Sequence, residues 1–535
     1  MSYSPQLVYF LDRLNGFSTN IFKLMPSGSV DTAPNSITRI TLPANALLNT
    51  RSFKLHFRAS CVDASSTGGR LPADLSTLVE RVEVSAGGVQ LSQGTNFYNT
   101  LVNAKAAIQG SRCDSVTGHS ELVRRDKFDG DVIVDTAGAD EVYTNGTPHV
   151  IDKWEGFLGT CEPKILDAAI LPDLVVSIYW ASNNVLASAK GTTTDAAFTT
   201  VPDTGASAVY EIKDIHASIE TIGLADSVYD NMVSSMIAQK GFVEIPFKQY
   251  FSFSNVHTNS SRFTVATQSL DRIWTAWRTE DYAALGAPHA VPGYGFGMDE
   301  KSIAIALAKI TIGTGSFEIA DHGYSQGDAL TYRTGGGTTA APLYDGKVVY
   351  VKTVTDKDNF IISSHPGGAA QVLTATGNAA QYFQTNTGPS KYRGVYGTSG
   401  DKFITKFQRF TEPQSAAAGA ARLTYQFQLN GAYYPQYPAP VEDMYQITKN
   451  SLPGPVKYDL TKEQLLDSYF VQCIRLNMPD SEFSRTISGL DTRSVSLNGY
   501  VNTTGDLASS PNLMIFAECT SCLRVGAGRQ LEVVI

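Results

Sequence analysis

Charge is scarce in this chain: 42 Lys+Arg and 51 Asp+Glu among 535 residues leave a net charge of −9 and a charged share of 17%, against roughly 25% in an average soluble protein. No long block of Lys or Arg occurs. That excludes a coat for nucleic acid, whose affinity comes mainly from neutralised phosphates. Long hydrophobic runs are missing too, and nothing reaches the ~18 consecutive apolar residues of a membrane-crossing helix. The amino terminus has no basic segment leading into an apolar stretch and a cleavage site, so no secretory signal is read. Cysteine is sparse: Cys61, Cys113, Cys161, Cys473, Cys519 and Cys522 are too scattered for a disulfide framework, which predicts synthesis in a reducing compartment. The Asn-x-Ser/Thr matches at Asn145, Asn259 and Asn502 then read as chance. What is plentiful is apolar surface, with 42% hydrophobic residues, 25 Tyr and 25 Phe. A chain this apolar can offset its ordering entropy and is not disordered.

Period-two patterns dominate. Ser4-Pro5 followed by Leu7, Leu11 and Leu14 predicts a short N-terminal helix, and Asn20 to Asn35 reads as an arm or as an ordinary frayed terminus. Phe53, Leu55 and Phe57 then alternate with polar neighbours. Val82 and Val84 run into Gly87-Gly88 and out through Val89 and Leu91, a hairpin signal. Leu174 to Trp180 and Ile215 to Ile219 read as buried strands. Phe97 to Ile108 has helical spacing, as does Ala225 to Gln239, which stops at Gly241 near the middle of the chain. Strand patterns resume at Val243, Ile245 and Phe247, and Ile273, Trp274 and Trp277 are assigned to a short helix. Arg81–Val84 followed by the Phe97 helix is echoed by Arg262–Val265 followed by the Ile273 helix. Each half closes on a strand, Ile215–Ile222 and Leu531–Ile535. Two sandwiches in tandem follow from this. Between Lys309 and Gln384 a Gly-, Thr- and Ala-rich segment alternates on its own, through Phe317/Ile319, Leu330/Tyr332, Val349/Val351 and Phe360/Ile362. It reads as a small β module set into the second sandwich.

Motifs that carry chemistry are weak. Gly293-Tyr294-Gly295-Phe296-Gly297 lacks the spacing of a dinucleotide loop. Gly323-Tyr324-Ser325-Gln326-Gly327 matches a nucleophile elbow, but strand-like Leu330 to Tyr332 follows where a helix is needed. Cys519-Thr520-Ser521-Cys522 lies between strand patterns with no histidine near it, and buried core thiols are the preferred reading over a zinc or redox pair. His56, His119, His149, His216, His257, His289, His322 and His365 are dispersed, with no two close together. Asp356-Lys357-Asp358 and Asp126–Asp131 read as solvated acidic turns. No catalytic, cofactor-binding or metal-ligating residue is assigned, and no cofactor is expected.

The segments Arg81–Leu101, Ile215 through Tyr229 to Tyr250, Phe263–Asp271, Leu429–Pro435 and Leu523–Ile535 together resemble the double jelly-roll major capsid proteins of icosahedral double-stranded DNA viruses. The likeness is strongest to those of virophages and polinton-like viruses. The resemblance implies an all-β fold of two tandem jelly-roll sandwiches with short helices. Residues 1–35 would be an N-terminal arm, 36–223 the first roll and 224–241 a connecting helix. The second roll would span 242–308 and 385–535, interrupted by the module at 309–384 on the outer surface. That module is similar to small β repeats of phage tail and virion-surface proteins. The implied function is structural and not enzymatic: a homotrimer forms a pseudo-hexagonal capsomer of a virion shell that is assembled inside the host cell. Implied partners are neighbouring capsomers and penton or minor capsid proteins, with a host-surface contact through the module and no sequence-specific nucleic-acid binding. Two alternatives stand beside it, a tail-fibre or receptor-binding protein and a carbohydrate-active β-sandwich enzyme with a carboxylate pair.

Overall fold

Phe53, Leu55, Phe57 and Ala59 are buried, while Lys54 between them is exposed and His56 and Arg58 are half-buried. This is the two-residue period of a strand with one face inside. The computed structural model describes residues 18–535 except 45, 64–67, 73, 93–95, 110–146, 190–207, 224–233, 236, 286–288, 291–301, 320–325, 327–328, 357, 366–367, 386–402, 414, 416–422, 455–459, 461, 479–486 and 494–496. The first sandwich comprises β1 (Ser18–Leu24), β2 (Ile37–Thr41), β3 (Leu47–Asp63), β4 (Val79–Ala86), β5 (Val89–Gln90), β6 (Thr147–Ile151), β7 (Ile165–Asp167), β8 (Leu174–Trp180) and β9 (Ala208–Gly223). Helix α1 (Tyr98–Ile108) follows β5. One sheet runs β1-β9-β3-β6, with β7 also on β3, and the other runs β2-β8-β4-β5. Counting β6 and β7 as one strand, the orders are first-eighth-third-sixth and second-seventh-fourth-fifth, the jelly-roll arrangement of two interleaved Greek keys.

The second sandwich repeats it. Its strands are β10 (Phe242–Val256), β11 (Ser260–Val265), β12 (Leu270–Arg278), β13 (Thr424–Leu429), β14 (Ala432–Ala439), β15 (Val471–Arg475), β16 (Leu497–Thr504) and β17 (Asn512–Gly526). They order as β10-β17-β12-β15 and β11-β16-β13-β14, and an extra strand β18 (Leu531–Val534) pairs with β17. Helix α2 (Val441–Ser451) follows β14 as α1 follows β5. Left-handed pairs make the fourth-to-fifth hairpin in both rolls: Gly87 and Gly88 at φ +53° and +87°, Asn430 and Gly431 at +47° and +89°.

Several expectations need correcting. Ser18–Leu24, expected within an arm, is the first strand of the sandwich and pairs with β9 from Ser18↔Gly223 to Leu24↔Ala217. As an edge strand with almost every side chain exposed, it shows no alternation to read. The expected helix before it lies outside the described residues. Ile273, Trp274 and Trp277 sit in strand β12, which is buried on both faces, so helix-like spacing arose from a strand without a polar side. The internal echo therefore falls elsewhere: β4 corresponds to β13, and α1 to α2. The closing strand of the second roll is β17, and Leu531–Val534 is the addition beside it. Of the expected central helix, residues 234, 235 and 237–240 are helical. The Gly241 amide (φ +83°) ends it by donating to the Ile237 carbonyl at 2.8 Å; the rest lies outside the described residues.

The inserted module is a unit of its own, Pro292–Lys402. Its seven strands order as Ser302–Ala304, Tyr382–Thr385, Ala329–Arg333, Val348–Val354, Asn359–Ser363, Ser316–Glu318 and Ile310–Thr311. All eight apolar positions singled out from the sequence are buried in its core, where Phe317 meets Phe383 edge-on at 4.8 Å. The sheet begins before residue 309, because the three-residue strand Ser302–Ala304 pairs with Tyr382–Thr385. A strand that short shows no period.

Candidate functional site: an inter-roll junction and an open sheet face

The two rolls are joined through the β10-β17-β12-β15 sheet. Ile245, Phe247, Leu523 and Val525 of that sheet belong to the core of the first roll, and Phe247 meets Phe157 edge-on at 5.2 Å. Farther along, Lys105 of α1 pairs with Glu155 at 2.7 Å and donates to the Tyr250 hydroxyl at 3.2 Å, while Tyr250 donates to Glu155 at 2.8 Å. Beside them Arg272 pairs with Glu518 at 2.8 Å, both side chains nearly inaccessible. Trp274 Nε1 donates to the same carboxylate at 3.0 Å, and Arg272 Nε donates to the Ser451 carbonyl of α2 at 2.9 Å. Burial works against charge on Glu518, but Arg272, Lys105 and Lys248 outweigh it and hold the carboxyl below its ordinary range. An ionised, fully partnered Glu518 is no general acid. Both junction carboxylates, Glu155 and Glu518, are engaged by cations and donors, the chemistry of a fastening.

The outer face of the second roll's sheet is thus covered, by α1 and α2. Among the described residues the equivalent face of the first roll is open. There Lys23, Ser218 and Lys54 lie in one cross-strand row, and His216 is paired with His56 in the next; Lys54 is exposed, and His56, Arg58, His216 and Ser218 are half-buried. The imidazoles of His56 and His216 stack at 4.8 Å with 3° between planes. His56 Nε2 bonds Ser218 Oγ at 2.8 Å and His216 Nδ1 bonds the Asp214 carbonyl at 3.1 Å. Burial first, then His216, Lys54 and Lys23, push the His56 pKa below its ordinary value. The sequence places these histidines far apart, and only the β3–β9 register joins them.

Cys519 and Cys522 lie on β17, buried and unpaired. Residues three apart on a strand face opposite sides, so this pair converges on no common ligand, and burial raises both thiol pKa values. His257 is a satisfied core residue, bonded to Ser261 Oγ at 2.7 Å and Thr503 Oγ1 at 2.9 Å. Among the described residues no group of three or more His, Cys, Asp or Glu could hold a metal. Ser325, Gly293–Gly297, His119, His322 and Asp126–Asp131 lie outside the described residues. Asp356 accepts from the Asp358 and Asn359 amides at 2.9 and 2.8 Å, a self-capped turn.

No protein-family model matches the chain. No curated protein matches it either. Among solved structures, PBCV-1 VP54, as fitted into a cryo-EM reconstruction of the virophage Sputnik, is similar over 98% of this chain and 98% of its own, at 11% identity and TM-score 0.47. The Faustovirus major capsid protein is similar over 97% and 92%, at 11% identity and TM-score 0.47. The mavirus major capsid protein is similar over 99% and 93%, at 8% identity and TM-score 0.39. The strand order, repeated in both sandwiches of this chain, fixes the fold. The chain is a double jelly roll. In each roll a helix follows the fifth strand, and the second roll carries the inserted module.

Proposed function

We propose that this chain is the major capsid protein of an icosahedral double-stranded DNA virus, three copies forming a pseudo-hexagonal capsomer. The observation that carries this reading is the unequal state of two equivalent faces. In the second roll the outer sheet face is covered, in part by α1 of the first roll; in the first roll the same face is open. A head-to-tail ring of three chains gives the open face a neighbouring roll and closes on itself, as heterologous contacts must to avoid fibres. Six similar rolls around one axis tile a shell. The protein then acts through shape and interface and not as an enzyme. Its partners are neighbouring capsomers and penton or minor capsid proteins in the virion, and the 292–402 unit is the candidate for contact with the host.

Sedimentation equilibrium tests this directly. A mass of three chains, with hexagonal outlines in negative-stain images, is expected. Monomers at every concentration, or fibres, would remove the capsomer reading.

A further inference from the structure

Arg278, the last residue of β12, is 1% exposed. Its guanidinium lies 4.2 Å from the ring centre of Phe407, 4.8 Å from that of Phe410 and 4.9 Å from that of Tyr282. Nη1 donates to Thr100 Oγ1 of α1 at 3.1 Å, which ties the second roll to the first. Among the described residues Nε and Nη2 are buried without a hydrogen-bond partner. Among the described residues no carboxylate pairs with the group, and burial pulls its pKa down to about 9. It is therefore still a cation at neutral pH.

A buried cation without a counter-charge is destabilising. Cation–π contacts offset part of that cost when desolvated, but ring faces take no in-plane N–H. The free Nε and Nη2 lie along one edge of the guanidinium, the fork that grips two oxygens of a carboxylate or phosphate. A second feature has the same sign. The first turn of α1, which holds Thr100, contains no acidic residue, and Phe97 at its start supplies no side-chain cap. Asn99 Oδ1 accepts from the Thr100 amide at 2.8 Å, but no negative charge in that turn offsets the positive pole of the helix beside the guanidinium.

We propose that Nε and Nη2 of Arg278 bind one small oxyanion, a phosphate or a carboxylate, which acts as a bolt between the two rolls. The anion enters from the side of the turn at 279–284, whose residues are exposed except for half-buried Tyr282 and which is held down by the Asp281–Lys406 ion pair. Nothing bulkier suits a site walled by three rings.

Crystals of the full-length protein equilibrated in selenate provide the test. An anomalous peak bridging Nε and Nη2 at about 3 Å, or a resident oxyanion that selenate does not displace, is expected. Water or no density at the fork overturns the proposal. Thermal unfolding in phosphate, acetate and chloride at matched ionic strength separates the sources. The midpoint should rise saturably with phosphate, with acetate or with both for the wild type, and R278Q should lose the rise. Equal shifts in wild type and R278Q, or none in either oxyanion, count against it; if R278Q does not fold, the diffraction result decides alone.

Discussion

His56 and His216 are direct cross-strand partners whose rings stack 4.8 Å apart on the open face of the first roll. Lys23, Lys54, Arg58 and Lys213 share that region, against Glu220 and Asp214. The depressed His56 pKa means that the folded face favours the neutral ring. Stability on this account is full above about pH 6.5 and falls as pH drops below it, because the unfolded chain protonates first. A neighbouring chain seated on the face would bury the pair further and steepen the loss. Sedimentation velocity should show the proposed trimer weakening severalfold between about pH 7.5 and 5.5, and H56N should flatten that dependence. An unchanged pH slope in H56N would separate the histidines from assembly.

The Arg272–Glu518 pair is a fastening whose removal is felt in proportion to its burial. Glu518→Gln removes the carboxylate paired with Arg272 at a site with 1% side-chain exposure, and loss of one partner of a buried pair costs about 3–5 kcal/mol. The paired change R272M with E518M removes both charges together. It should recover most of that loss in urea unfolding. A Glu518→Gln variant within about 1 kcal/mol of the wild type would mean that the pair contributes little net stability.

Much of this architecture is visible in the sequence because one-sided strands announce themselves. Phe53, Leu55 and Phe57 alternate; Gly87-Gly88 turns the hairpin; Phe317 through Ile362 mark the module's core. What escapes is whatever depends on partners distant in the chain. β12 reads as a helix because both its faces are buried, and β1 reads as an arm because neither is. Helix α2 has buried Val441, Met444, Thr448 and Ser451 at helical spacing, with Glu442 and Asp443 in its first turn and Lys449 in its last. That periodicity is legible in the sequence, set among strand patterns on both sides. The histidine stack, the Lys105–Glu155–Tyr250 triad and the caged Arg278 have no local signature. Contacts between distant positions create them, such as Lys105–Tyr250 at 145 and Glu155–Tyr250 at 95 positions apart.

The inserted unit should come out cleanly. His289 and Ala290 pair with Ile404 and Phe403 in an antiparallel ladder, so the chain enters and leaves the module at adjacent positions, about 5 Å apart. Its core is its own. Replacing residues 292–402 by a short Gly/Ser linker is expected to leave the unfolding midpoint of the two rolls, and the assembled mass, within error of the intact chain. Circular dichroism melts and sedimentation would check it. Loss of folding would mean that the module stabilises its host.

His257 gives the second pH prediction, and a sharper one. It is inaccessible, its two ring nitrogens face the Ser261 and Thr503 hydroxyls, and Trp277 stands edge-on to the ring at 4.8 Å. Rotatable hydroxyls can serve a neutral imidazole as donor to one nitrogen and acceptor from the other. Burial lowers its pKa to about 4. The unfolded chain binds this proton near pH 6.5 and the folded one near pH 4, so stability is complete above about 6.5 and erodes progressively down to about 4. The total is about 3 kcal/mol for a shift of that size. H257Q keeps an amide that can bond both hydroxyls and removes the titration. Its urea midpoint should sit below the wild type at pH 7.5 and converge on it toward pH 4.5. Parallel pH curves for the two proteins would assign the acid sensitivity to other groups, the His56–His216 stack first among them.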